Sequence, residues 1–573
     1  MLYLLLRLFT SFATSWDWFP IRVARSLYQA STRGQLELRL GITIIAFFVV
    51  SSVVGLVLTT RQCRLVADTE YDLSTDMFRL YMSAPYLNHV SRNSAQLLRN
   101  THNIPFELAS SGVLAFLQFG QNIMVVLFLL VVIGFASPQV VIISVVYFGA
   151  GTLAYLLVVS PRLRQAGKSL VELAGSCLQT LQEGFTGLKA FLTSNSVGTV
   201  VRGYEERRQI MADSRYRLLL FANLPQYYLQ SLMVGGVVLF AITVAVLHLR
   251  NPTAIIGITL AAAIRLMPAL YTSLSSVGRF RGAEANINEL HGEMKRLINS
   301  EPRPAPLSAA TNKLADNSEG SSSDSRLQWS GGIHFEHVSF RYPSGHGYAL
   351  RDLTASITRG EFVGIVGPSG AGKSTIVDML LGLFDPDIGE IQIGSHRLGA
   401  HNVEAWRRAV GYVPQEVFLM DDMVSRNVAL GSGDSIDEAR VWAALERSQL
   451  LAFVEELPKR LDTRLGERGV RLSGGQRQRI GIARALYANP DVLVLDEATA
   501  SLDVKTEEAI TATIDQLGGG LTRIVIAHRL STIKHCDRIL VIRNGRLMAE
   551  GAFDMLRESD EMFQEMASLA TLE

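Results

Sequence analysis

Cysteine is almost missing from these 573 residues: there are three, Cys63, Cys177 and Cys536. They stand too far apart for a zinc-ligand spacing or a disulfide framework, and read as small buried apolar residues. Nothing in them asks for an oxidising compartment. A surplus of charge is missing too, with 54 Lys+Arg against 53 Asp+Glu. That excludes the basic or acidic imbalance of a chain built for nucleic acid or an acidic partner. Charged residues make up 19% of the chain and hydrophobic ones 48%, more apolar than is usual for a soluble enzyme of this size. The length suits two or three domains rather than one core.

What is present is unevenly spread. Long apolar runs fill residues 1–280, whereas 330–573 alternates short apolar strands with polar, helix-like stretches. Between them stand Pro302-Arg303-Pro304 and the Ser/Gly/Asp-rich run Asn317–Ser325, which has too little apolar surface to order itself. The expected division is a transmembrane domain over 1–300, a flexible linker over 301–330 and a soluble domain over 331–573.

A spanning helix needs about 20 apolar residues to cross ~30 Å of hydrocarbon. Gly41–Thr60, Gly112–Ser137, Gln139–Ser160 and Leu220–Leu247 meet this without a charged residue, and Ala254–Gly278 meets it apart from Arg265. Met1–Ala13, interrupted by Arg7, reads as a short first span rather than a signal peptide, giving about six. Trp16–Ala30 reads as an interfacial helix. The two long loops carry the arginines and lysines, five in Arg61–Pro105 alone (Arg61, Arg64, Arg79, Arg92, Arg99). Both therefore face the cytoplasm, with short outward turns at Ser137-Pro138 and His248–Pro252. Ser169–Leu192 keeps helical apolar spacing up to Thr193-Ser194-Asn195, so the spanning helix is expected to run on inward, by nearly 40 Å at ~1.5 Å per residue. Two such extensions would let a membrane domain touch a separate ATPase domain.

The soluble half carries that ATPase chemistry. Gly367-Pro368-Ser369-Gly370-Ala371-Gly372-Lys373-Ser374-Thr375 follows the strand-like Phe362–Val366 and opens into the helix-like Ile376–Leu383. This is the P-loop pattern in its expected setting. Glycines let backbone N–H groups approach phosphates at a helix N-terminus. Lys373 then neutralises the β/γ-phosphates of ATP and the Ser374 hydroxyl binds Mg²⁺. Val492-Leu493-Val494-Leu495 reads as a buried parallel strand ending in Asp496-Glu497. Such a pair alone would be an ordinary solvated strand end. Beside a P-loop it reads as Asp496 assisting Mg²⁺ and Glu497 polarising the attacking water.

Leu472-Ser473-Gly474-Gly475-Gln476 precedes the helix-like Arg477–Tyr487. With this string the sequence resembles the ATP-binding cassette (ABC) family over residues 333–555. The resemblance implies that Ser473, Gly474, Gly475 and Gln476 of one subunit clamp the γ-phosphate of ATP held on the P-loop of the other. It also implies that Tyr342 stacks on adenine and that Gln415 senses Mg²⁺ and the membrane domain. Gly466–Gly469 would contact the cytoplasmic loops, Asp503 (in Ser501-Leu502-Asp503) would communicate across the dimer, and His528 would contact the γ-phosphate. The partner implied is a second copy or a related half-transporter. The expected fold class is a polytopic α-helical membrane domain plus an α/β P-loop nucleotide-binding domain, in a bacterial inner membrane with the ATPase domain in the cytoplasm.

One membrane domain before one cassette resembles an exporter-type half-transporter. Phe78–Tyr86, Ser91–Asn100 and Arg265-Leu266-Met267-Pro268 look like segments of lipid-linked oligosaccharide flippases and polysaccharide exporters. Apart from that resemblance, an arginine deep in a span costs roughly 2.5–3.5 kcal/mol on insertion scales and so faces a polar cavity. Its fork suits a phosphate or diphosphate, while a partner role for neighbouring helix carbonyls, or snorkelling, are the alternatives. The expected cargo is a polyprenyl-diphosphate-linked glycan or similar amphipathic anionic lipid. A lipid, drug or peptide exporter and an ATP-gated channel are the rival readings.

Overall fold

The computed structural model describes residues 26, 28–29, 32–90, 92–136, 138–246, 252–299, 326–343, 345, 347–433, 435–466, 469–498, 505–508, 510, 512, 520–526, 533–560 and 563–564. These fall into two compact units, the first within 1–82 and 92–300, the second within 83–91 and 301–573.

The first unit is helical. Its long helices are α1 (Arg33–Ser83), α2 (Leu114–Ala136), α3 (Pro138–Thr186), α4 (Val197–Val246) and α5 (Pro252–Asn299). Among the described residues, three helical stretches are long and apolar enough to cross a membrane by length and composition: Gly34–Ser83, Ser94–Val131 and Val145–Thr186. Their apolar side chains stay largely exposed within the chain, as with Phe47, Phe128 and Leu157, which suits hydrocarbon as the surrounding solvent. Met1–Ala13 and the linker run Asn317–Ser325 lie outside the described residues, as does most of Trp16–Ala30. Between the short helix Ser94–Leu98 and α2, the backbone passes through two π-helical turns, Arg99–Asn103 and Leu108–Val113.

α3 does continue well past its apolar stretch, but it stops at Thr186, short of the expected Leu192. Gly187 breaks it, and a separate short helix, Leu188–Thr193, follows. The reason is local. A Cβ on Gly187 would stand 2.8 Å from the Phe191 ring and 3.1 Å from the Glu183 carbonyl oxygen, so only glycine lets the ring fold back over the turn.

α3 and α5 cross where both are glycine. A Cβ on Gly167 would sit 2.6 Å from the Gly282 carbonyl oxygen, closer than packed atoms approach, so the backbones meet there directly.

The second unit holds two sheets. β1 (Gly332–Phe340), β2 (Leu350–Thr358), β4 (Ile388–Ile393) and β5 (His396–Arg397) form an antiparallel sheet in the order β2-β1-β4-β5. A six-stranded sheet runs β10-β9-β3-β8-β7-β6, built from β3 (Phe362–Val366), β6 (Val410–Val413), β7 (Val492–Asp496), β8 (Thr522–Ile526), β9 (Arg538–Arg543) and β10 (Arg546–Gly551). Its pairs are parallel except β9–β10. β3 and β7 are buried along their whole length, which is why they read as unbroken apolar runs. One core, with Phe335, Ile376 and Trp406, and another, with Ile482, Leu486 and Val541, draw on opposite side chains of these strands. A third, helical cluster joins Leu419, Val441 and Ile480.

Gly167→Val should therefore lower the thermal unfolding midpoint of the purified full-length protein, by about 1–3 kcal/mol of overpacking. Gly198→Val is the control, since nothing lies within 4 Å of a Cβ there. Equal shifts in the two variants would contradict a tight α3–α5 crossing.

Candidate nucleotide site

The site forms where the parallel strands end. Ile526 of β8 pairs with Asp496 of β7, and Ile365 of β3 pairs with the same Ile526. The P-loop and the acidic pair therefore leave the sheet at one level, separated by a single strand, about 10 Å at the usual spacing.

From β3 the chain turns through Gly367 (φ 156°), Gly370 (φ 76°) and Gly372 (φ 105°) into α6 (Lys373–Leu380). A Cβ at Gly367 would stand 2.1 Å from the Ile542 carbonyl oxygen, and one at Gly372 would stand 2.7 Å from that of Ala349. Gly370 meets nothing, but its left-handed backbone still favours glycine. α6 begins at Lys373, three residues before the helix-like stretch apparent in the sequence. Ser369, Gly370 and Ser374 are exposed, whereas Lys373 and Thr375 are buried. Lys373 Nζ donates to the carbonyl oxygens of Gly367 (2.8 Å) and Pro368 (3.1 Å). Burial pulls its pKa down, opposed by the negative charges of Glu497 and Asp496.

Asp496 closes β7 and is buried. Glu497 follows with a left-handed backbone, φ 50°, an unusual conformation for a non-glycine residue that concentrates at functional sites. Among the described residues, three hydrogen bonds hold it there. Its N–H donates to the Ile526 carbonyl (3.0 Å), its carbonyl accepts from Gln478 Nε2 (3.1 Å), and its Oε2 accepts from Gln415 Nε2 (2.7 Å). The structure thus brings together Gln415 and Glu497, two residues 82 positions apart in sequence.

Ser473 caps α8 (Gly474–Tyr487), which follows α7 (Glu438–Arg447) in the chain, in a reciprocal capping box. Gln476 N–H donates to Ser473 Oγ (3.2 Å), and Ser473 N–H donates to Gln476 Oε1 (2.8 Å). Gly474 and Gly475 form its first turn, so α8 begins three residues before the helix expected from Arg477. A cavity of about 570 Å³ runs from Gln415 past Phe418 to Gly474 and Gln478. Tyr342 is half-buried, its hydroxyl 3.1 Å from Thr375 Oγ1 and its ring edge-on to Phe340 and Phe384. Asp503, His528 and the central residues of Gly466–Gly469 lie outside the described residues, and so does the Arg265 side chain.

Three neighbours escaped the sequence reading. Gln478 supports the Glu497 backbone, and no spacing rule marks it. Tyr412 on β6 is pushed well above the usual tyrosine range by burial and by Asp496. Asp378 on α6 did leave a signal, an acid set among Ile376, Val377, Met379 and Leu380. Burial pushes its carboxyl up to about 6, and the Asp496 charge adds to the shift. Asp496 and Glu497 act on the Lys373 ammonium, and Asp496 acts on Asp378 as well, so negative charge is in excess there; carboxylate and hydroxyl oxygens are the ligand types that Mg²⁺ takes.

A family model described as ABC transporter matches residues 350–500. An ATP-dependent lipid A-core flippase of Alkalilimnicola ehrlichii is 31% identical over 497 residues, 84% of this chain and 78% of that protein. The chain belongs to the ABC transporter family. It is an exporter-type half-transporter, an integral membrane protein that binds ATP and couples its hydrolysis to transport. A second lipid A-core flippase, from Ralstonia nicotianae, is 42% identical over 235 residues, 41% of this chain and 40% of that relative. Among solved structures, a bacterial Atm1-family ABC exporter with ATP bound shares the fold at TM-score 0.77 and 24% identity, covering 99% of this chain and 96% of the other.

A carboxyl raised in the folded cassette destabilises it where ionised. The penalty is full above pH 6, shrinks as pH falls through 6, and vanishes below about 4, where the unfolded chain is protonated too. Asp378→Asn in chelator-treated protein should therefore raise the stability of this ABC cassette by about 1–2 kcal/mol at pH 8 and by progressively less toward pH 4. A gain independent of pH would show that the Asp378 carboxyl is not shifted.

Proposed function

We propose that this ABC exporter is a flippase that moves a polyprenyl-diphosphate-linked glycan, or a similarly amphipathic anionic lipid, across a bacterial inner membrane. The working unit is a pair of such chains, each with a membrane domain at 1–300, a linker at 301–330 and a cytoplasmic cassette at 331–573. For the cargo, the observation that carries the reading is Arg265, a lone charge within the apolar stretch Ala254–Gly278. For the engine, it is the 2.7 Å bond between Gln415 and Glu497 beside an intact P-loop.

In this reading Lys373 and the P-loop N–H groups hold the phosphates, and Tyr342 receives the adenine once its ring leaves Phe384. Ser374, Gln415 and Asp496 would hold Mg²⁺, which supplies charge neutralisation at the phosphates. Glu497 orients the attacking water, and Gln415 reports whether the membrane domain has moved. Ser473–Gln476 clamp the partner's ATP, with Asp503 and His528 completing the site. Phe185, Leu188 and Leu192 are exposed around the Gly187 turn at the inward end of α3, and such an apolar tip supports a role in passing movement to a cassette.

The test is ATPase activity of the purified protein in liposomes, with and without polyprenyl-diphosphate-linked glycan. Stimulation by the glycan lipid should be lost in Glu497→Gln, and in Arg265→Ala it should need at least about tenfold more lipid, as for loss of a bidentate charge-assisted contact. Glu497-dependent hydrolysis that ignores both the lipid and Arg265 would discard the glycan cargo and favour another lipid, drug or peptide.

A further inference from the structure

The arginines of the first unit are partnered in different ways. Arg92 meets Glu293, Arg99 meets Glu289, and Arg164 meets Glu284 at 2.9 Å. Arg279, on α5, has no such partner: among the described residues no carboxylate is paired with it. Its Nη2 donates to the neutral Gln118 Oε1 (2.5 Å) and to Ser276 Oγ (3.3 Å), and its Nε is buried without a partner. A guanidinium satisfied by one amide and one hydroxyl keeps most of its charge and part of its fork unspent.

Gln118 belongs to a cluster. In α2 the polar side chains are Gln118, Gln121 and Asn122, within five residues and on one face, and the rest of the helix is apolar. Gln62 of α1 donates to Gln121 (3.0 Å). Three helices thus turn amides and one cation toward a common place, inside helices that otherwise suit hydrocarbon. A side chain of this charge at membrane depth faces a polar cavity or the bundle interior. Its depth is specific. At ~1.5 Å per residue Gln118 lies about 28 Å along α2 from the outward turn at Ser137-Pro138, and Arg279 about 40 Å along α5 from Pro252. With hydrocarbon ~30 Å thick, Gln118 falls near the cytoplasmic boundary and Arg279 about 10 Å past it along its own helix, toward the inner-leaflet phosphates.

We propose that Arg279 and Gln118 form a phosphate-binding subsite at the cytoplasmic mouth of the membrane domain, receiving the phosphorylated head group of an anionic lipid before it reaches Arg265. Release of Nη2 from Gln118 frees the Arg279 guanidinium to turn its fork to a phosphate, and the Gln118 amide turns to donate as well. The inference rests on the reading of the chain as an anionic-lipid exporter with its short turns outside, but it concerns a different residue at a different depth.

The full-length protein in nanodiscs of phosphatidylcholine is tested for retention of polyprenyl diphosphate, the phosphate-free polyprenol and phosphatidylglycerol, with inorganic pyrophosphate as competitor. Arg279→Gln should weaken polyprenyl-diphosphate binding about tenfold or more, with Arg279→Lys recovering only part of it, as return of the charge without the fork would. Polyprenol binding should not move, and an unchanged thermal midpoint certifies the fold. Arg279-dependent displacement by pyrophosphate would assign recognition to the phosphates rather than the lipid tail, and supports the subsite. If wild type ignores polyprenyl diphosphate but holds phosphatidylglycerol in an Arg279-dependent way, the subsite stands and the glycan cargo falls. Equal affinity in Arg279→Gln and wild type, an equal loss for polyprenol, or no retention of either anionic lipid by wild type would overturn the subsite and leave Arg279 as a tie between α2 and α5.

Discussion

The cassette depends on β3, β8 and β7 ending together, because catalytic groups on separate strands can cooperate only if their register is fixed. Ile526 sets it by pairing with Ile365 on one side and Asp496 on the other. A one-residue slip of β7 would turn Asp496 to the opposite face of the sheet and carry Glu497 away from Gln415. Burial of β3 and β7 along their length resists that slip, since any shift would drag apolar side chains out of both cores at once. The left-handed turn at Glu497 is tolerated for the same reason. Three hydrogen bonds from three segments hold it, so relaxing the backbone would cost more than the strain it stores.

The same strand ends gather charge that the protein alone does not balance. Asp496 and Glu497 stand near Lys373, whose ammonium is turned back onto P-loop carbonyls, and Asp496 also acts on Asp378. Asp378 raised and Lys373 lowered by burial describe a site costly to keep ionised without a ligand. Under the proposed function, the phosphates of ATP and a divalent cation would complete its charge pattern. The membrane domain shows a related tension. Arg92 and Arg99 are neutralised by glutamates of α5, so that part of the domain is electrostatically closed, whereas Arg279 is left with amides and a hydroxyl.

Much of this was legible in the sequence because it rests on local backbone chemistry. The P-loop glycines, the buried run of β7 and three of the expected apolar spans are set by short-range steric and burial rules, and the structure has them near their expected residues. What was not legible depends on distant segments meeting. Gln478 carries no recognisable spacing, yet a turn of α8 aims its amide at the Glu497 carbonyl. The end of α3 at Gly187 was missed because the apolar period continues through it, and only the Phe191 ring folding back makes glycine obligatory there. The amides of α2 could be counted from the sequence, but not that they meet Arg279 of α5.

The hydrogen bonds at α8 bear on why one chain is half an engine. Ser473 and Gln476 satisfy each other across the cap, which fixes the helix N-terminus without using a ligand. Among the described residues, no hydrogen bond joins that cap to the P-loop of its own chain. The first-turn N–H groups and the positive end of the helix dipole therefore remain a surface for an anion. Under the proposed pairing that anion is the γ-phosphate held by a second chain. The capping box would then keep the surface rigid before its target arrives, so ATP brings two preformed halves together and need not order either one.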